Sequence, residues 1–127
     1  MNGDPTTRQI LVEKNIEWPN GLAIDYQTER LWWVDAKLSS IESINLDGTD
    51  RKTIVSIKDG SLGHPFSLAV FGESIFWTEW NKKLIYQSTK MNPNDKTIVK
   101  RIEGDLSPMD IKVVHPHQQP KGVCIIA

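Results

Sequence analysis

The chain has 127 residues, 39% of them hydrophobic and 24% charged, which suits one globular unit with a core of its own. Fifteen Lys and Arg against sixteen Asp and Glu leave a formal net charge of −1 with the two signs interspersed, so no basic stripe can track a phosphate backbone and nucleic acid is not an expected partner. No run reaches the roughly 18–20 consecutive apolar residues of a membrane span, so direct insertion by this segment is not expected, and the single Cys124 can form no internal disulfide.

A lone outer strand is predicted at 8–12. Four strands follow near 21–25, 30–35, 40–46 and 51–56, connected at Gln27-Thr28-Glu29, Lys37-Leu38-Ser39 and Asp47-Gly48-Thr49-Asp50. Four more are predicted near 67–71, 74–79, 84–89 and 96–101, and a lone inner strand near 109–114. The second set copies the first. Ile10, Ile54 and Ile98 are spaced 44 and 44 apart, and Trp33 to Trp77 and Ile41 to Ile85 repeat that interval. Pro19-Asn20-Gly21, Pro65-Phe66-Ser67 and Pro108-Met109-Asp110 recur with slips of two residues or fewer. Repeated four-stranded units of this length fit the blades of a β-propeller, which run about 40–45 residues. A ring needs about 4–8 of them, so the chain is expected to be part of a propeller. The division expected is an outer strand and connection of an incomplete blade at 1–17, a first full blade at 18–62, a second at 63–104, the inner strand of a further blade at 105–120, and the start of a following module or tail at 121–127.

Successive antiparallel strands reverse direction, so the connection that enters the first strand of a blade and the one that leaves its second emerge on the same face. Trp18 and Asn20 lie in the first entering connection, His64 and Phe66 in the second, and Trp80 follows the second strand of the second blade. Large aromatics with an amide and an imidazole, gathered in loops on a rigid scaffold, have the make-up of a binding hot spot. The competing reading is that these side chains only plug loops against neighbouring blades. Trp33 and Trp77 sit mid-strand and are expected in the core. Asp35 and Glu79 occupy the same place in successive repeats, about one blade apart, which suits hydrogen-bond acceptors of the scaffold better than an acid/base pair. His115, His117 and Cys124 are too few and too loosely spaced for a closed metal site, Asp47-Gly48-Thr49-Asp50 lacks the acids of a calcium loop, and no nucleophile triad or phosphate loop is present. Neither catalysis, metal nor cofactor is expected.

Leu31-Trp32-Trp33-Val34-Asp35 and Ile75-Phe76-Trp77-Thr78-Glu79 resemble the Tyr-Trp-Thr-Asp (YWTD) repeats of the low-density lipoprotein receptor family, whose propellers have six blades. Trp18-Pro19-Asn20-Gly21-Leu22, Asn45-Leu46-Asp47-Gly48, His64-Pro65-Phe66-Ser67-Leu68 and Pro108-Met109-Asp110-Ile111 are similar to that family's framing segments in the same order. The resemblance implies an all-β, partial YWTD propeller next to an EGF-like module, with Cys124 as that module's first cysteine. Trp80, directly after the repeat motif, is similar to the receptor-related members, which include endocytic receptors and Wnt co-receptors. It implies that Trp18, Asn20, His64 and Trp80 line a pocket for protein ligands presenting Asn- and Ile-containing segments, and that other partners are the remaining blades and cysteine-rich modules. Its location would be the extracellular face of the plasma membrane and endosomes, with signal and anchor elsewhere in a single-pass receptor. His64 matches a histidine of the lipoprotein receptors' acid-triggered contact, whereas Ser39 replaces the second such histidine. The function implied is ligand capture and endocytosis, and the alternatives are a Wnt-type co-receptor propeller or the structural propeller of a matrix protein.

Overall fold

The computed structural model describes residues 8–56, 63–92, 96–113 and 123–126, and all its regular structure is β. One antiparallel sheet runs β1 (Pro19–Asp25), β2 (Arg30–Asp35), β3 (Ser40–Asn45), β4 (Lys52–Ser56), and a second runs β5 (Pro65–Phe71), β6 (Ser74–Glu79), β7 (Leu84–Thr89), β8 (Thr97–Arg101). Each is a meander in sequence order, and all eight strands fall within two residues of their predicted bounds. β9 (Asp110–Val113) pairs with β10 (Val123–Ile126) in a third, two-stranded sheet.

Alternation decides which side chains meet. In β2, Trp32 and Val34 project to one face and Trp33 and Asp35 to the other. Trp32, Val34, Ile41 and Val55 of the first sheet pack on Leu68, Val70, Ile75, Trp77, Leu84 and Tyr86 of the second, forming the main core. A smaller cluster of Ala69, Ile85 and Ile111 joins the second sheet to β9. The inner strands come close at Gly21, where a Cβ would stand 2.7 Å from the Ser67 Cα and 2.9 Å from the Leu68 nitrogen. At the corresponding place on the next inner strand, the Ser67 hydroxyl donates to Asp110 at 2.7 Å and accepts from the Ile111 amide.

At the opposite ends of the strands an ion pair links the two sheets. The Lys90 ammonium donates to the buried Asp25 carboxylate and lies 5.9 Å from the Trp32 ring centroid. Burial pushes the Asp25 carboxyl upward, but Lys90, the Thr28 hydroxyl and the Gln27 amide outweigh it and hold the group below its ordinary 3.8. Tyr86, stacked on Trp77 at 5.4 Å between centroids, has its hydroxyl pushed above the ordinary 10.0 by burial and by the nearby Glu79 charge.

Two expectations are corrected. Residues 8–12 form no strand. A strand needs a neighbour to take its amides and carbonyls, and the carbonyls a little further on, at Lys14 and Asn15, are taken by the Arg51 guanidinium instead. The inner strand expected at 109–114 spans Asp110–Val113 and is not alone, because Val123–Ile126, expected to open a following module or tail, runs beside it. That run is rich in β-branched residues, a strand signal in its own right. His115 and His117 lie outside the described residues.

Candidate ligand-binding site

Both full blades build the same corner from the same parts. The first residue of the inner strand faces the last residue of the second strand, Pro19 opposite Asp35 and Pro65 opposite Glu79. Directly outside that pair, the Ala36 amide donates to the Trp18 carbonyl at 3.0 Å, and the Trp80 amide to the His64 carbonyl at 3.1 Å. The repeated acids brace these connections from beneath. Asp35, fully buried, accepts from the amides of Glu17 and Trp18 on the entering side and of Lys37 and Leu38 on the leaving side, at 2.7–3.2 Å. Glu79, also fully buried, accepts from His64 at 2.6 Å, from Asn81 and from Lys82.

A buried carboxylate is costly unless its lone pairs are filled, and here backbone amides fill them. The same carboxylates support the turns that follow. The fourth turn residue is left-handed in both blades, φ 50° at Ser39 and 57° at Lys83, an uncommon conformation for residues with a side chain. Gly63 is also left-handed, at φ 72°, and leaves no room for a methyl group beside the Glu79 carboxylate. Asp35 and Glu79 are therefore engaged by donors of the scaffold, and Trp33 and Trp77 are buried in strands.

On this bracing stand the aromatic residues. The Trp18 and His64 ring centroids are 6.5 Å apart and tilted by 55°, and those of His64 and Trp80 are 6.0 Å apart and tilted by 48°. The three form a row along one face, from the first blade onto the second. Trp18 is 52% and Trp80 43% exposed, so two indoles are offered to solvent with the imidazole between them. The Lys37 ammonium lies 5.8 Å from the Trp18 ring centroid and pairs with Glu17 at 3.3 Å, which gives the row a charged end.

Asn20 and Phe66 lie one step further in. Each sits where the inner strand slips register, between Pro19 and Gly21 and between Pro65 and Leu68. A bulge re-aims a side chain that regular pairing would fix. Asn20 is exposed and Phe66 partly buried, and among the described residues no ring contact joins Phe66 to the row. The structure thus brings Trp18, His64 and Trp80 together and sets Asn20 and Phe66 beside them on adjoining inner strands. Met109, 49% exposed, follows Pro108 as Asn20 follows Pro19 and Phe66 follows Pro65, but it stands just before β9 whereas the other two lie within β1 and β5. Met109 was not among the candidate residues, although the Pro-x spacing that it shares with Asn20 and Phe66 is a signal for it in the sequence.

The row is an open shelf. A separate groove of about 280 Å³ runs along the inner strands, lined by residues such as Leu22, Ile24, Val70 and Val113, and excludes all three aromatic residues. Among the described residues no group of three His, Cys, Asp or Glu side chains is placed to hold a metal, and no helix is long and apolar enough to cross a membrane.

Residues 29–71 match the low-density lipoprotein receptor repeat class B. The chain is 37% identical over 119 residues to the vitellogenin receptor of Drosophila melanogaster, covering 94% of this chain and 6% of that protein. It is 36% identical over 112 residues to the vitellogenin receptor of Solenopsis invicta, covering 88% of this chain and 6% of the receptor. The low-density lipoprotein receptor-related protein 5-like protein of Homo sapiens is 37% identical over 101 residues, 80% of this chain and 39% of its own length. The chain therefore spans a small part of each receptor and well under half of the third relative. Among solved structures, the nidogen/laminin complex contains a chain that superposes with a TM-score of 0.68 at 22% identity, over 82% of this chain and 38% of that one. Virginiamycin B lyase of Staphylococcus aureus gives a TM-score of 0.62 at 19% identity, over 85% and 34%. These two likenesses are of fold. With the repeat matched in sequence and the blades seen in space, the chain belongs to the low-density lipoprotein receptor-related family as a segment of its class B repeat propeller.

Proposed function

We propose that this segment is a protein-binding face of an extracellular receptor propeller, and that Trp18, His64 and Trp80, with Asn20 and Phe66 beside them, receive a short segment of a protein ligand. The observation that carries this reading is the aromatic row, in which two indoles stay 52% and 43% exposed although the Trp18 amide is held by the buried Asp35 carboxylate and the Trp80 amide by the His64 carbonyl, whose own amide donates to the buried Glu79. Rigidly held, half-exposed Trp is the residue type that dominates binding energy at interfaces. The relatives bear receptor names, and two are receptors for vitellogenin, a protein. Ligand capture for endocytosis, with the remaining blades and cysteine-rich modules as neighbours, is the reading that this kinship supports. The proposal takes 18–62 and 63–104 as two blades of the ring, 1–17 as belonging to the blade before and 105–120 to the blade after.

The test is calorimetric titration of the chain with short peptides containing Asn and Ile. Trp80→Ala or Trp18→Ala should weaken binding by about 30-fold or more, roughly 2 kcal/mol. Asn20→Ala should cost about 1–3 kcal/mol through a lost paired amide. Circular dichroism confirms that each variant folds. Affinity unchanged in all three would overturn the reading and favour a structural propeller.

A further inference from the structure

The segment before β1 crosses the outer face of the first sheet from end to end. Gln9 and Leu11 lie against Gly48 in the turn between β3 and β4, and Glu17 and Trp18 are tied to Asp35 at the other end. Between these points the Arg51 side chain hydrogen-bonds its backbone. The Arg51 guanidinium donates through Nε to Glu42 at 2.7 Å, through Nη1 to the Lys14 carbonyl at 2.6 Å and through Nη2 to the Asn15 carbonyl at 2.8 Å, and its Cζ lies 5.3 Å from the buried Trp33 ring centroid. Only a planar fork can address a carboxylate and two successive carbonyls while lying near an indole, and a lysine ammonium has neither the reach nor the geometry for all of them. Asn15 is left-handed, φ 54°, so the chain turns at the clamped carbonyl and heads for Asp35.

The second blade shows what the fork replaces. Glu42 corresponds by the 44-residue repeat to Tyr86, which stacks on Trp77 against the first sheet. A ring fills the position where the neighbour is a sheet, and an ion pair fills it where the neighbour is a strand-less segment with free carbonyls.

We propose that Arg51 is a positioning residue for the Trp18 end of the aromatic row: by fixing residues 14 and 15 it sets where the chain starts toward Asp35, and so where the Trp18 ring stands against His64. This rests on the reading of the row as the ligand site, but it is tested without a ligand. Two measurements on the full chain compare wild type with Arg51→Lys and with Arg51→Met/Glu42→Gln, the latter removing both charges so that no buried carboxylate is left unpaired. The first is limited trypsin digestion after Lys14, followed by mass spectrometry. Losing both charge-assisted hydrogen bonds should speed this cleavage roughly tenfold or more.

The second is the His64 ring proton resonance, assigned against His64→Gln. Two indoles within 6.5 Å shift it through their ring currents, and displacement of Trp18 should move it back toward its value in Trp18→Ala. Faster cleavage together with a moved resonance, at unchanged far-ultraviolet circular dichroism, supports the proposal. Faster cleavage with an unmoved resonance overturns it, because Arg51 then holds the segment without positioning Trp18. Neither effect in either variant overturns it as well. If the resonance moves but Trp18→Ala leaves peptide affinity unchanged, the positioning stands and the ligand reading of the row falls.

Discussion

Gly21→Ala adds one methyl group at a close approach of two blades. An alanine Cβ there would stand 2.7 Å from the Ser67 Cα, 2.9 Å from the Leu68 nitrogen and 3.0 Å from the Phe66 oxygen, all backbone atoms that cannot rotate away. Carbon atoms in ordinary contact sit about 3.5–4.0 Å apart, so β1 and β5 must part by roughly 1 Å. That movement loosens the core shared by Trp32, Val34, Leu68, Val70 and Trp77. Overpacking of this kind costs about 1–3 kcal/mol. At about 2.1 cal/mol/K per residue over a 127-residue chain, each kcal/mol lowers the melting temperature by about 4 °C, so the expected fall is about 4–12 °C. The assay is thermal unfolding by circular dichroism. Gly72→Asn is the control, because nothing lies within 4 Å of a Cβ there and Asn enters its left-handed φ of 55° more readily than other residues do. A Gly21→Ala melting temperature equal to that of wild type would refute the close approach, and an equal fall in both variants would show that backbone freedom, and not contact, is at issue.

Lys90→Met should destabilise the chain by about 3–5 kcal/mol in denaturant titration, because it strands the buried Asp25 carboxylate. Since the folded Asp25 carboxyl titrates below its ordinary 3.8, its contribution is fully present above that pH and is lost as pH falls through the lower, folded value; wild type should therefore lose more stability between pH 5 and that value than Asp25→Asn, as melting curves across the range would show. Gly63→Ala should cost at least about 2 kcal/mol, from the left-handed backbone and the collision with Glu79 together, read as a lower midpoint in urea. Asp35→Asn should destabilise by about 1–3 kcal/mol and raise amide exchange at Glu17, Trp18, Lys37 and Leu38 together, since all four share one acceptor.

The eight blade strands were legible because two signals agree on them: an apolar pattern bounded by turns, and the return of that pattern after 44 residues. The shared face of Trp18, His64 and Trp80 was legible too, because strand reversal fixes which connections emerge together. Their contact was not, since it depends on the twist between sheets and on which rotamers the bracing carboxylates leave open. The partnership of Arg51 with Lys14 and Asn15 left no trace in the sequence, because backbone carbonyls are present at every residue and carry no signature. Residues 8–12 read as a strand by their likeness to Lys52–Val55 and Lys96–Val99, and failed to be one because pairing is a property of neighbours. Val123–Ile126 became a strand for the complementary reason, that β9 offers it an edge.

The corner that Asp35 and Glu79 brace separates what folds from what is displayed. Among the described residues both carboxylates bond to main-chain amides at this corner, so the bracing is indifferent to which side chains stand on the braced residues. The two blades already show this indifference: Ala36 in one becomes Trp80 in the other, and Trp18 becomes His64, on the same backbone hydrogen bond. A lineage can therefore rewrite the displayed residues one blade at a time, and acquire a new partner, while the ring beneath continues to fold as before.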